Sequence, residues 1–193
     1  MILKPPKGTL LNRQHPLARG LVGCWLLNEN GGTFARDVFN SHFTTWVTAS
    51  SGTLTWQRSG INFDSASTKV AYITCASPKL PALGTGPYTI LLGVWPDALK
   101  ACGVLAFGSY HPAFCLDATG HPYIYDLGGH NASNTALSTG VRSHIAYVRY
   151  GTGTGQTAYY VNGLAAGTCT HSESIGAPTT LTLGSDRNAS STL

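Results

Sequence analysis

The sequence predicts an all-β fold in which two antiparallel sheets pack as a sandwich, and three observations carry that expectation. From Gly20 onward, short apolar runs follow one another between Gly, Ser, Asn and Pro punctuation at the spacing of sandwich strands. The stretch RSHIAYVRYGTGTGQTAYYVNGLAAGT, Arg142 to Thr168, spells out three consecutive strands with their connections. Only Asp97 to Ala101 suits even a helical turn.

Taken in order, strands are expected near 21–27, 42–48, 54–57, 61–63, 69–75, 88–95, 103–107, 113–117, 122–126, 143–150, 156–161, 164–169 and 179–183. The clearest hairpin follows His144–Tyr150, which alternates apolar and polar side chains as a half-buried strand does. Gly151, Gly153 and Gly155 loosen the connection to the next strand. Asn162-Gly163 then supplies the pair preferred where both residues of a two-residue turn need positive φ. The run Tyr88-Thr-Ile-Leu-Leu-Gly-Val-Trp95 is nearly all apolar, so this strand is expected to be covered on both faces and central to its sheet. Residues 1–19 hold Lys4, Lys7, Arg13 and Arg19 among Pro5, Pro6 and Pro16, without periodicity of either kind. They are expected to form an extended arm, either a disordered tail or one that lies along a neighbouring subunit, ahead of one sandwich domain over 20–193.

Composition narrows the partners. Charged residues make up 10% of the chain against roughly a quarter in an average domain, and Ser, Thr, Asn and 23 Gly provide the polar cover. With 12 basic and 8 acidic residues the net charge is only +4, and no basic track alternates with aromatics, which argues against a nucleic-acid partner. No run approaches the ~20 apolar residues of a membrane span, and the opening residues lack the apolar core of a signal peptide. The expectation is synthesis in the cytoplasm, with Cys24, Cys75, Cys102, Cys115 and Cys169 as buried free thiols, since they form an odd set without metal spacing.

Several pieces in order, GLVGCWLLNE, INFD followed by KVAYI, YTILLGVWP, GVLAFGS, and HIAYVRY with AYYVNG, resemble the concanavalin A-like, laminin G-like jelly-roll superfamily over about Gly20 to Gly184. The opening LNRQHPLARGLVGCWLLNENGG is also similar to laminin G-like proteins encoded among phage structural genes. The resemblance implies a two-sheet jelly roll, a fold that hosts lectins, adhesion modules, glycosidases and virion proteins alike, so the fold does not choose among them. In that family the strand matching 179–184 is followed by another that pairs beside the first. Here SDRNASSTL stands in its place, which implies that 21–27 offers an open edge or one covered by another chain.

Catalysis has little to build on. The polysaccharide-cutting members carry acidic residues two or four positions apart on one strand, because retaining hydrolysis sets its two carboxyl groups ~5–5.5 Å apart. Neither Glu29 nor Glu173 has such a neighbour, and Asp64, Asp97, Asp117, Asp126 and Asp186 stand apart in turn-like contexts that suit turn and cap formation. There is no nucleophile elbow, and the seven histidines have no zinc-ligand spacing. The resemblance to calcium-holding lectins makes the loop Asp126 to Asn134 a weak candidate, with Asp126, Asn131 and Asn134 as oxygen donors; otherwise no cofactor or metal is expected. Among the aromatics, Trp25 and Trp95 are assigned to the core, while Trp46, Trp56, Tyr72 and Tyr110 are possible platforms. Tyr123 and Tyr125 share one strand face beside His121 and are the best candidates for glycan contact, against the alternative of packing between sheets. The function expected first is a non-enzymatic virion protein, a head decoration or tail component that contacts other virion proteins and its own copies. The alternative is a lectin-like carbohydrate-binding module, displayed on a virion for adhesion to a surface glycan.

Overall fold

The computed structural model describes residues 11–184 apart from 30, 33, 40–42, 49–52, 58–59, 65–71, 77, 79, 109–112 and 127–128. Fourteen strands are formed among them: β1 Phe34–Arg36, β2 Phe43–Thr48, β3 Thr53–Gln57, β4 Gly60–Asp64, β5 Ile73–Ala76, β6 Tyr88–Val94, β7 Cys102–Phe107, β8 Ala113–Leu116, β9 Pro122–Asp126, β10 Gly129–Ala132, β11 Ser143–Arg149, β12 Thr157–Val161, β13 Leu164–Cys169 and β14 Thr180–Leu183. Every ladder is antiparallel. An eight-stranded sheet runs β1-β2-β5-β14-β7-β8-β9-β10, a four-stranded sheet runs β13-β12-β11-β6, and β3-β4 forms a separate hairpin. This is the antiparallel two-sheet sandwich that the spacing predicts, jelly-roll-like as the resemblance implies.

Alternation sends one set of side chains from each sheet into a shared core. Ile73, Leu105, Phe114, Ile124 and Leu181 come from the larger sheet, and Ile145, Tyr147, Tyr159 and Val161 from the smaller. An aromatic edge joins the two layers, the Phe114 and Tyr147 rings lying 4.6 Å apart at 64°, and within the smaller sheet Tyr147 meets Tyr159 at 5.4 Å and 74°. Each fully buried ring or branched chain contributes ~1.5–3 kcal/mol of transfer free energy. Leu54, Trp56, Ile61 and Phe63 of the β3–β4 hairpin pack against the same core.

The Asn162-Gly163 turn forms as expected. Both residues have positive φ, 51° and 82°, and Val161 pairs with Leu164 across them. The Asn162 side chain also accepts from the His144 N–H at 2.9 Å, which ties the turn to the start of β11. Cys75, Cys102, Cys115 and Cys169 are buried, Cys24 is half-buried, and none of the five is joined in a disulfide. Among the described residues no helix is long and apolar enough to cross a membrane.

Several expectations are corrected. Residues 21–27 form no strand beyond an isolated bridge from Trp25 to Asp37. The buried Asp37 carboxylate takes the amides of Cys24 at 3.0 Å and Phe39 at 2.9 Å, so a side chain supplies the partner a ladder would have given. The β6 strand is not central: it is the terminal member of its sheet, and Thr89, Leu91 and Gly93 are exposed. An apolar run shows that a strand can be covered twice, and only a second layer decides that it is. Trp95, expected in the core, is 59% exposed. Asp97 and Ala98 form a bend rather than a helical turn.

The arm is not extended over residues 11–19, where the chain makes turns and a short 3₁₀ segment, Pro16–Ala18. Arg13 folds back onto its own chain, donating to the Phe39 carbonyl with its guanidinium 4.8 Å from the Phe39 ring centre. Arg19 is exposed, and Lys4 and Lys7 lie outside the described residues. Two strands escape the sequence reading: β1 is only three residues long, and β10 is GHNA, whose composition carries no strand signal.

Candidate functional site

The outward face of the eight-stranded sheet is built rung by rung from its register. On one rung Ala106, Ala113, Tyr125 and His130 lie side by side; on the next come Cys115, Tyr123 and Ala132. Ile124, between the two tyrosines, points the other way into the core and is 2% exposed. Tyr123 packs with Ala106, Ala113 and Cys115 in a cluster of its own, while Tyr125 beside it is 39% exposed. Ala106, Ala113 and Cys115 are short, uncharged and themselves buried, so of this group the Tyr125 ring is the one that reaches solvent. The packing alternative thus accounts for Tyr123, though on the outer face and not between the sheets, and leaves Tyr125 presented to solvent.

His121 closes one end of the row. The segment Leu116-Asp-Ala-Thr-Gly-His turns back because Asp117 Oδ1 accepts from the N–H of Thr119 at 2.8 Å, the Thr119 hydroxyl at 2.7 Å and the N–H of His121 at 2.9 Å. Gly120 sits at φ +87°, where a Cβ would in addition meet Leu99 at 2.7 Å. His121 Nδ1 lies 2.8 Å from Thr119 Oγ1 and 3.4 Å from Asp117 Oδ2, so this nitrogen is occupied and Nε2 is the one presented. Burial alone would raise the Asp117 carboxyl, but the hydrogen bonds from His121 and Thr119 and the nearby imidazole outweigh it and hold the group below its ordinary value. From His121 to Tyr125 the face runs about 13 Å, four residues of strand.

Beneath this face β9 is anchored to the other sheet. The Ile124 N–H donates to the Tyr159 hydroxyl at 3.2 Å, and that hydroxyl donates to Cys169 Sγ at 3.1 Å. A second polar cluster sits at the end of the four-stranded sheet. Arg149 is 1% exposed and donates from Nε to the Gly151 carbonyl at 3.2 Å and from Nη1 to the Glu173 carbonyl at 2.6 Å. Its guanidinium lies 5.6 Å from the centre of the Tyr88 ring, against which buried His171 packs edge-on. The sequence reading had no signal for this arginine, because alternation places it on the inward face without showing what it meets there.

The remaining candidates are dispersed. The segment proposed as a calcium loop is largely the β9–β10 hairpin, with Asp126 opposite Gly129 and Asn131 opposite Ile124; Asn134 lies beyond it, its amide bonded to the Ala166 carbonyl at 2.7 Å. Among the described residues no three His, Cys, Asp or Glu side chains gather as a metal-holding group. Glu29 takes the Arg36 amide at 2.9 Å, Asp37 is absorbed in the contacts given above, and Asp117 has the turn role its context suggested. Trp25 and Trp56 pack against the core, Tyr72 is half-buried, and the Trp46 side chain and Tyr110 lie outside the described residues.

Searches against protein-family models and against curated protein sequences return no match. Among solved structures, the chain is similar to domain 4 of AbnA, a GH43 extracellular arabinanase from Geobacillus stearothermophilus solved in complex with arabinotriose. The likeness has a TM-score of 0.47 and 16% identity, over 82% of this chain and 77% of that one. It is also similar to the carbohydrate-binding module CBM66 from Bacillus subtilis, with a TM-score of 0.44 and 13% identity over 72% of this chain and 88% of that one. Neither likeness says what this chain binds.

Proposed function

We propose that this domain is a non-enzymatic saccharide-binding module whose ligand lies along the outward face of the eight-stranded sheet against Tyr125. The observation that carries this reading is the exposed Tyr125 ring, set beside the buried and uncharged Ala106, Ala113, Cys115 and Tyr123 that hold it in place. A sugar ring presents C–H groups to an aromatic face and hydroxyls to its rim, so an exposed phenol with uncharged neighbours suits a neutral glycan. His121, with Nδ1 engaged by the Asp117–Thr119 turn, supplies one directed polar group at the end of the row. A non-catalytic role is supported by the carboxylates of Asp37 and Asp117, each occupied by backbone amides.

The test is a glycan array, followed by calorimetric titration of the best neutral oligosaccharide into wild type and Tyr125→Ala. The expected loss is at least ~10-fold in affinity, about 1.4 kcal/mol, with the circular dichroism spectrum unchanged and Tyr125→Phe close to wild type. No hydrolysis product is expected on prolonged incubation. Equal affinity in Tyr125→Ala would remove the site, and an array with no hit would remove the function.

A second reading, a virion component assembling through protein contacts after synthesis in the host cytoplasm, is supported by a different surface. The outward face of the four-stranded sheet exposes Leu91 and Tyr150 at 69 and 56%, and the positions its ladder brings together, Thr89, Val148 and Ala158 on one rung and Leu91, Ala146, Tyr160 and Ala165 on the next, carry no charge. Under that reading the assembled particle, and not the isolated chain, slows proteolysis of residues 1–19.

A further inference from the structure

We infer that two copies of this chain pair antiparallel through the free edge of β6, centred on Leu91, so that their four-stranded sheets become one eight-stranded sheet. The β6 strand ends its sheet, and among the described residues no strand pairs with its outer side. Such an edge is a row of backbone donors and acceptors, and the ligand that matches it is another strand.

The other terminal strands are blunted. In the larger sheet β1 has three residues and β10 four. At the far side of the smaller sheet β13 shifts register against β12 and holds Gly167 at φ +104°. In the hairpin, β3 exposes Thr53, Thr55 and Gln57. None of these devices protects β6. It runs seven residues in unbroken register with β11, and Tyr88 to Trp95 contains no charge and no proline.

A second copy of β6 fits that edge by its own pattern. Antiparallel pairing about Leu91 sets Leu91 opposite Leu91 of the copy, Thr89 opposite Gly93, Ile90 opposite Leu92 and Tyr88 opposite Val94. The half-buried Ile90 and Leu92 then meet apolar partners on the core side, and the two exposed Leu91 side chains cover one another outside. No like charges face each other across the joint, which matters in a chain with a net charge of +4. The surface beside the joint, Ala146 and Val148 of β11, is uncharged as well. This pairing does not rest on the saccharide reading, because Leu91 and Tyr125 lie on different sheets.

The test is sedimentation velocity of the full chain from roughly 1 to 100 μM, with hydrogen exchange of the Thr89–Val94 amides over the same range. Wild type is expected to pass from monomer to dimer mass as those amides slow. Leu91→Lys, which sets two ammonium groups face to face, is expected to stay at monomer mass throughout while binding saccharide as wild type does. A wild type that is monomeric over the whole range overturns the proposal. So does a dimer that Leu91→Lys leaves intact, or one whose formation leaves exchange at Thr89–Val94 unchanged; the exchange result stands even if the variant fails to fold.

Discussion

Tyr159→Phe removes one oxygen from the centre of the sandwich and nothing else. The ring keeps its edge contact with Tyr147, while the Ile124 N–H loses an acceptor at 3.2 Å and Cys169 Sγ a donor at 3.1 Å. Tyr159 is fully buried, so water cannot replace the hydroxyl without a cavity to hold it. A buried donor left without its partner costs ~1–3 kcal/mol, against ~0.5–1.5 kcal/mol for an ordinary hydrogen bond, and about 2 kcal/mol is the expected loss. For a chain of 193 residues that lowers Tm by about 4–8 °C. Urea unfolding followed by tryptophan fluorescence measures it, with Tyr160→Phe as the control. Among the described residues the Tyr160 hydroxyl meets the exposed Tyr150 hydroxyl at 3.2 Å, so its loss is expected to stay within ~0.5 kcal/mol. Because Ile124 lies between Tyr123 and Tyr125, Tyr159→Phe is also expected to weaken saccharide binding without touching the ligand. Equal urea midpoints for Tyr159→Phe and the control would refute the idea that this hydroxyl anchors β9 to the opposite sheet.

Arg149→Lys keeps the charge but cannot reach both the Gly151 and Glu173 carbonyls with one fork, and a loss of about 2 kcal/mol in urea unfolding is expected; an unchanged midpoint would show that the two carbonyl bonds contribute nothing. Gly163→Ala meets no atom within 4 Å, so its whole cost is the left-handed backbone at φ +82°, about 1–2 kcal/mol by thermal unfolding, whereas a Tm equal to wild type would mean that the turn relaxes freely. Stability is expected to fall above pH 9. Burial pushes the Cys75 and Cys102 thiols up to about 11 from an ordinary 9.0. A raised folded value means that the neutral thiol's contribution is complete below pH 9 and is lost as pH climbs toward 11. For Cys102 the loss by about pH 10.5 amounts to ~2 kcal/mol, and it should shrink in Cys102→Ala when urea midpoints at pH 8 and 10.5 are compared.

The sequence by itself determined the elements that depend on neighbours along the chain. Alternation placed β11 and β12, Asn162-Gly163 placed the turn after them, and Asp117 within LDATGH made the turn its context suggested, because each needs only local φ, ψ and a side chain a few residues away. That Tyr123 and Tyr125 share a face followed from the period of two. What only the tertiary structure decided is which surface lies against each strand. The apolar pattern of β6 is the same whether its second face is covered or bare, and the fold left it bare at the sheet's end. Residues 21–27 look like a strand until a buried Asp37, thirteen positions beyond Cys24, takes the amide that a ladder would have used. The tyrosines have short uncharged neighbours because the β7–β8–β9 register sets Ala106, Ala113 and Cys115 beside them, and Arg149 is buried because the Gly151 and Glu173 carbonyls come within its reach. These juxtapositions are set by long-range pairing, whose register the whole core fixes at once and no single segment encodes.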